Sequence, residues 1–199
     1  MNSEGDWGTR CDPAEAYDQK SASQLACSDF VITLRKEERT YGGSRLHRND
    51  VVSYLTARPN RDVVIAGHQQ TTHEWWDTQR DKYELCVSLL VHQEAGAGDP
   101  KAAQERLEKL SEMTVLDTTA EATGLAQELV RAGALPKKAG EDALHIAVAA
   151  VNRVKYLLTW NCRHMANATM RPLIEVTCAA KGLQAPIICT PDELLGAKP

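Results

Sequence analysis

Two regimes of hydrophobic patterning alternate along most of this chain. Near-continuous apolar runs occupy residues 83–91, 154–160 and 186–190, and a shorter one lies at Val115 and Leu116. Runs of this kind are expected of strands covered on both faces, as in a parallel sheet. Between them, apolar residues recur at spacings of three and four. Residues 62–78 place Val64, Gly67, Thr71 and Trp75 on one helix face, widened by Ile65 and Trp76. Residues 102–113 turn Ala103, Leu107 and Leu110 inward, and residues 120–132 do so with Leu125 and Leu129. Residues 141–151 form a helix of small apolar side chains, with Leu144, Ala147, Val148 and Val151 on one face and Ile146, Ala149 and Ala150 filling the rest. Residues 173–181 and 191–195 read as two further helices. Polar punctuation supports these limits: Asn60 before the first helix, Asp99 and Pro100 before the second, Thr118 or Thr119 before the third, and Gly133 and Gly182 after helix ends.

Strands and helices in this alternation predict an α/β protein, a sheet that is mainly parallel with helices packed against it. Its organising unit is the buried helix at 141–151, a turn at Asn152 and Arg153, and the strand that follows. Two polar residues stand at the edges of this apolar unit. Asp142 lies in the helix's first turn, where the helix dipole favours a carboxylate. Asn161 follows the strand, at the carboxyl edge where open α/β sheets place ligands.

Residues 1–50 differ from the rest. They are rich in Ser, Asp, Glu, Gly and Gln, and only residues 30–34 resemble a strand. They are expected to form a poorly ordered extension, with the folded domain spanning 51–199. The apolar run 51–55 opens that domain, and the charged residues 35–39 and the turn-forming residues 41–44 precede it.

Composition narrows the function classes. Hydrophobic residues are 43% of 199, enough for one full core. Net charge is −4, so bulk charge does not announce a nucleic-acid binder, although carboxylates around a metal are compatible with a local basic rim. The six cysteines are scattered without a C-x-x-C pair, which argues against a zinc site and a disulfide framework. Apolar runs fall well short of the roughly 18 residues of a membrane span, and a cytoplasmic location is expected. No glycine-rich phosphate loop occurs, which counts against a nucleotide-cofactor protein.

Two segments carry a resemblance. The run Asp142, Ala143, Leu144, His145, Ile146, Ala147 is followed by Leu157, Leu158, Thr159, Trp160, Asn161, Cys162, Arg163, His164, Met165, Ala166, Asn167. Together they resemble the PIN domain, and more narrowly the VapC-like toxin ribonucleases of bacterial toxin–antitoxin pairs, over residues 51–195. The resemblance implies a three-layer sandwich with a mainly parallel central sheet. It implies Mg²⁺ or Mn²⁺ held by acidic residues at the strand ends, RNA as substrate, and an antitoxin or a second copy as partner. Carried over by position, Glu94 matches the acidic residue after the second strand, in the pattern Val87, Ser88, Val91, Glu94. Asp142 matches the acidic residue of the helix motif, and Asn161 stands where many relatives have Asp. Mg²⁺ prefers such oxygen donors. His145, His164 and Asn167 read as packing and loop-fixing residues. Arg163, Arg171, Lys137 and Lys138 are candidates for an RNA path. Trp75 and Trp76 have the chemistry to stack bases, but paired aromatics at helical spacing more often fill a core.

The chain departs from the family at its start. The first-strand Asp falls on Arg48, with Asn49 and Asp50 where Thr and Ser are expected. Asp50 is a displaced substitute, roughly 7 Å along an extended chain. An altered upstream reading frame would explain residues 1–50, and genomic sequence upstream of Val51 that encodes no apolar strand ending in Asp-Thr-Ser would dispose of that account. The missing Asp also supports an alternative, a PIN scaffold without catalysis that binds RNA or an antitoxin. The nuclease reading requires Glu94 and Asp142 to converge on a shared cation at the sheet's edge. Carboxylates held far apart, or either one buried against a salt-bridge partner, count against it.

Overall fold

The computed structural model describes residues 32–36 and 50–196. The Arg48 position and the charged and turn-forming residues between 37 and 49 lie outside the described residues. So do residues 1–31, with Cys11 and Cys27.

The described chain is a mixed α/β protein. Its elements run β1 (Ile32–Lys36), α1 (Asp50–Thr56), α2 (Val63–Gln79), a 3₁₀ turn (Arg80–Lys82), β2 (Tyr83–Ser88), α3 (Leu89–Ala95), α4 (Pro100–Leu110), β3 (Thr114–Leu116), α5 (Ala120–Arg131), α6 (Gly140–Val151), β4 (Tyr156–Leu158), α7 (Arg171–Ala180), β5 (Ile187–Cys189) and α8 (Pro191–Leu195). The six helices expected from the sequence, α2 and α4 to α8, lie within a few residues of their expected limits, and α1 and α3 come in addition to them. The strand expected over 83–91 is shorter, because Ser88, its last residue and still paired with Leu116, also caps α3, its Oγ accepting a hydrogen bond from the Val91 amide at 3.2 Å. The strand expected over 154–160 likewise keeps only Tyr156–Leu158.

The sheet orders its strands β3-β2-β1-β4-β5. The pairs β2/β3 and β4/β5 are parallel, as expected. The central strand is not. β1 is antiparallel to both neighbours, with Thr33 opposite Cys86 and Leu157, and Ile32 opposite Leu158. Two expectations are thereby corrected. The sheet is mixed rather than mainly parallel, and the folded unit does not begin at residue 51. A five-residue segment from the polar N-terminal stretch fills the gap between the two parallel pairs. Without it, β2 and β4 would each expose an unpaired edge in the middle of the fold. Asp50 opens α1 rather than ending a strand.

Burial follows the small residues of α6. Ala143, Ile146, Ala147, Val148, Ala149 and Ala150 are all buried, and α6 packs most extensively on α5, which also meets α7. On the other side of the chain order, α2 packs against α1 and α8. The face of α2 that enters the core is Gln69, Thr72, Trp75 and Trp76, not the expected one that includes Val64, which is 65% exposed. Gln69 is satisfied there, accepting from the Asn60 amide and donating to the Arg58 carbonyl. The N-cap of α2 is Asp62, which accepts from the Val64 and Ile65 amides, while Asn60 caps Asp62 itself.

The turn from α6 into β4 is closed by a left-handed residue. Arg153 has φ 54°, its amide donates to the Ala150 carbonyl, and the Val154 amide reaches back to the Ala149 carbonyl. This is the helix-terminating geometry that glycine adopts at least cost. Arg153→Gly is therefore expected to stabilise the fold by about 0.5–1 kcal/mol, the relief of left-handed strain exceeding the extra unfolded-state entropy. A urea midpoint that falls in this variant would contradict the account.

Candidate functional site at the carboxyl edge of the sheet

Two strand ends meet one helix here. β2 ends at Ser88, and α3 then carries Glu94. β4 ends at Leu158, and Thr159 to Asn161 follow. The first two turns of α6 touch both, because Asp142 and His145 are three residues apart and so lie on one side of the helix.

On the β4 side lies a closed polar cluster. Asn161 Nδ2 donates to Asp142 Oδ1 at 3.0 Å. His164 Nδ1 lies 2.8 Å from Asp142 Oδ2. The His164 amide donates to Asn161 Oδ1 at 2.9 Å, and the Asn161 amide donates to Thr159 Oγ1 at 3.0 Å. Both carboxyl oxygens of Asp142 and the amide oxygen of Asn161 are thus engaged by protein groups. Asp142, Thr159 and Asn161 are buried. Burial pushes the Asp142 carboxyl above its ordinary value, outweighing the hydrogen bonds and charge from His164 and the bond from Asn161 that pull it down.

On the β2 side, His145 stands between Ser88 and Glu94. Its Nδ1 is 3.5 Å from Ser88 Oγ, and its Nε2 is 3.9 Å from Glu94 Oε1. Full burial lowers its pKa from 6.5 to about 4, so at neutral pH this ring is uncharged. The order Ser88, His145, Glu94 invites comparison with a nucleophile–base–acid triad. The distances are too long for working hydrogen bonds, and Ser88 is buried and occupied as a helix cap. His145 is instead a packed neutral histidine. Because its folded pKa is depressed, its stabilising contribution is present above 6.5 and is lost as pH falls toward about 4, amounting to about 3 kcal/mol at full loss. Urea unfolding across that range is expected to show a loss in the wild type that His145→Gln lacks.

The three residues singled out from sequence therefore sit at one edge but in two groups. Asp142 and Asn161 bond directly. Glu94 is connected to them through His145 and the turn of α6. Their oxygen donors suit Mg²⁺ or Mn²⁺ in kind. In placement Asp142 and Asn161 are already engaged by protein groups, and among the described residues no group of three His, Cys, Asp or Glu side chains is positioned to hold a metal ion. The pairing of buried Asp142 with His164 is the arrangement that counts against the nuclease reading.

His164 does more than sequence reasoning assigned to it. It fixes the loop after β4, as expected, and it also clamps Asp142. Asn167 holds the next turn, accepting from the Thr169 amide and hydroxyl. Of the basic candidates, Arg163, Lys137 and Lys138 are exposed, while Arg171 pairs with Glu193 at 3.7 Å and donates to the Ala166 carbonyl. Glu74 is exposed on α2. No helix among the described residues is long and apolar enough to cross a membrane. The chain matches no protein-family model, no curated protein and no solved structure.

Proposed function

We propose that this chain is a PIN-like, VapC-like protein that acts on RNA, an impaired metal-dependent ribonuclease built on a three-layer sandwich. The observation that carries this reading is the meeting of Asn161 with Asp142, and of Glu94 with His145, around the first turns of α6 at the carboxyl ends of β2 and β4. That edge is where α/β sheets present ligands. Glu94 and Asp142 would hold Mg²⁺ or Mn²⁺, with Asn161 orienting the Asp142 carboxyl. Such an ion supplies a more acidic water and shields charge on a phosphodiester.

Impairment follows from two features. Asp142 Oδ2 is shared with His164, so an ion must compete with that bond. The central strand runs the wrong way to deliver a carboxylate: β1 presents its first residue, not its last, beside Leu158. The same two features favour a second reading, a catalytically silent scaffold that binds RNA or an antitoxin-like partner, as a monomer or a homodimer. Titrating Mg²⁺ or Mn²⁺ into the protein with a single-stranded RNA, alongside Asp142→Asn, separates the two. Slow metal-dependent cleavage lost in the variant supports the ribonuclease. Absence of cleavage and of metal binding at every concentration leaves the scaffold.

A further inference from the structure

We propose that Tyr54, His68 and Trp160 form a stacking platform for one nucleobase of single-stranded RNA, next to the Asp142–Asn161 cluster. The proposal rests on the reading that this edge engages RNA and names how it would do so.

The three rings come from three places in the chain: α1, α2, and the residue before Asn161. His68 lies flat on Trp160, with ring centres 4.0 Å apart and planes 15° from parallel. Tyr54 meets both at an angle, 6.4 Å from Trp160 and 6.1 Å from His68. All three are half-buried. The contrast with the other aromatic pair is sharp. Trp75 is 0% exposed and Trp76 7%, and they pack on one another within the core, so the expected packing role holds for them.

Trp160 is held rigidly. Its indole Nε1 donates to Thr72 Oγ1 at 2.9 Å, and that buried hydroxyl in turn donates to the His68 carbonyl at 2.7 Å. On its other side the Asn161 amide is tied to Thr159. One hydroxyl thus fixes the upper ring's backbone and the lower ring's tip together. A platform fixed before binding costs little ordering entropy when a ligand arrives.

The chemistry selects a base rather than a phosphate. Burial holds the His68 imidazole below its ordinary pKa, and the nearby charge of Asp192, which opposes that shift, would repel a phosphate. An uncharged π surface beside a carboxylate is suited to a neutral base face. Stacking of one base is worth about 1–3 kcal/mol and tolerates any sequence. With Trp160 adjoining Asn161 in the chain, a base seated here leaves its own backbone within reach of the polar cluster.

The test is independent of cleavage. Binding of a labelled single-stranded RNA is measured by fluorescence anisotropy with a chelator present, for the wild type, His68→Ala and Tyr54→Ala. The same RNA with abasic positions is the second ligand. Intact RNA is expected to bind about 5- to 100-fold more tightly than abasic RNA, a preference that each ring variant reduces. Saturable quenching of tryptophan fluorescence by adenosine, lost in Trp160→Phe, is expected alongside. Equal affinity for intact and abasic RNA overturns the platform. So does an unchanged preference in folded His68→Ala, and if that variant does not fold, the wild-type comparison and Tyr54→Ala decide. A base-dependent affinity with no cleavage at any Mn²⁺ concentration keeps the platform and removes the ribonuclease. No RNA binding at all removes both.

Discussion

Asp142→Asn is expected to lower any metal-dependent RNA cleavage by about 100-fold or more, since changes to outer-shell partners alone cost metal sites 10- to 100-fold. The substitution keeps the side chain's shape and removes its charge. One carboxyl oxygen now accepts from Asn161 Nδ2 and the other pairs with His164 Nδ1, so an amide at this position must turn its NH₂ group toward one of them. Stability is expected to respond with a definite sign. The folded carboxyl sits above its ordinary value of 3.8 because burial disfavours the charge. A raised folded pKa means that the carboxyl's contribution is most favourable below that ordinary value and declines as pH rises through the folded one. The urea midpoint of the wild type, measured relative to Asp142→Asn, should therefore decline from acid toward neutral pH. A difference that grows with pH would mean that the His164 pairing outweighs burial, and Asp142 would then be a stabilised carboxylate.

Trp75→Ala is expected to cost about 3–5 kcal/mol, a large part of the roughly 5–15 kcal/mol that holds a domain folded. Trp75 is 0% exposed and bridges α2 to the start of β2, its ring 6.5 Å from Trp76 and 6.1 Å from Tyr83. Removing it leaves a cavity that backbone from two elements cannot readily fill. Its Nε1 is buried with no hydrogen-bond partner, so Trp75→Phe loses less: the ring volume largely stays and an unsatisfied donor goes. A cost under about 1.5 kcal/mol is expected for that change. Both variants should leave RNA affinity per folded molecule unaltered, which separates this tryptophan from Trp160. A cost below 1 kcal/mol for Trp75→Ala would show that the site collapses and that α2 is not anchored through this ring.

How far the sequence carried these conclusions differs by element. The helix at α6 was legible because small apolar residues on all sides leave it no solvent-facing stripe, and it is buried as that pattern requires. The capping of α4 by Asp99 with Pro100 at its start was legible because it is a local hydrogen bond, and that of α5 was narrowed to Thr118 or Thr119, of which Thr119 caps. The α2 face is legible only in Trp75 and Trp76. Gln69 and Thr72 are polar letters that enter the core because each finds a partner there, one on the Asn60 segment and one on Trp160, and periodicity cannot see a partner. The length of β2 is not legible in the same way, because Ser88 both closes the strand and caps α3, and the cap is settled by where α3 must go.

By itself, then, the sequence determined the alternation of elements and the buried helix, since periodicity and local capping are written in neighbouring residues. Only the tertiary structure decided the direction of β1 and the partners of Asp142. A strand's direction is set by which edges are left to pair. A carboxylate's role is set by what arrives beside it, and His164 arrives from 22 residues away along the chain.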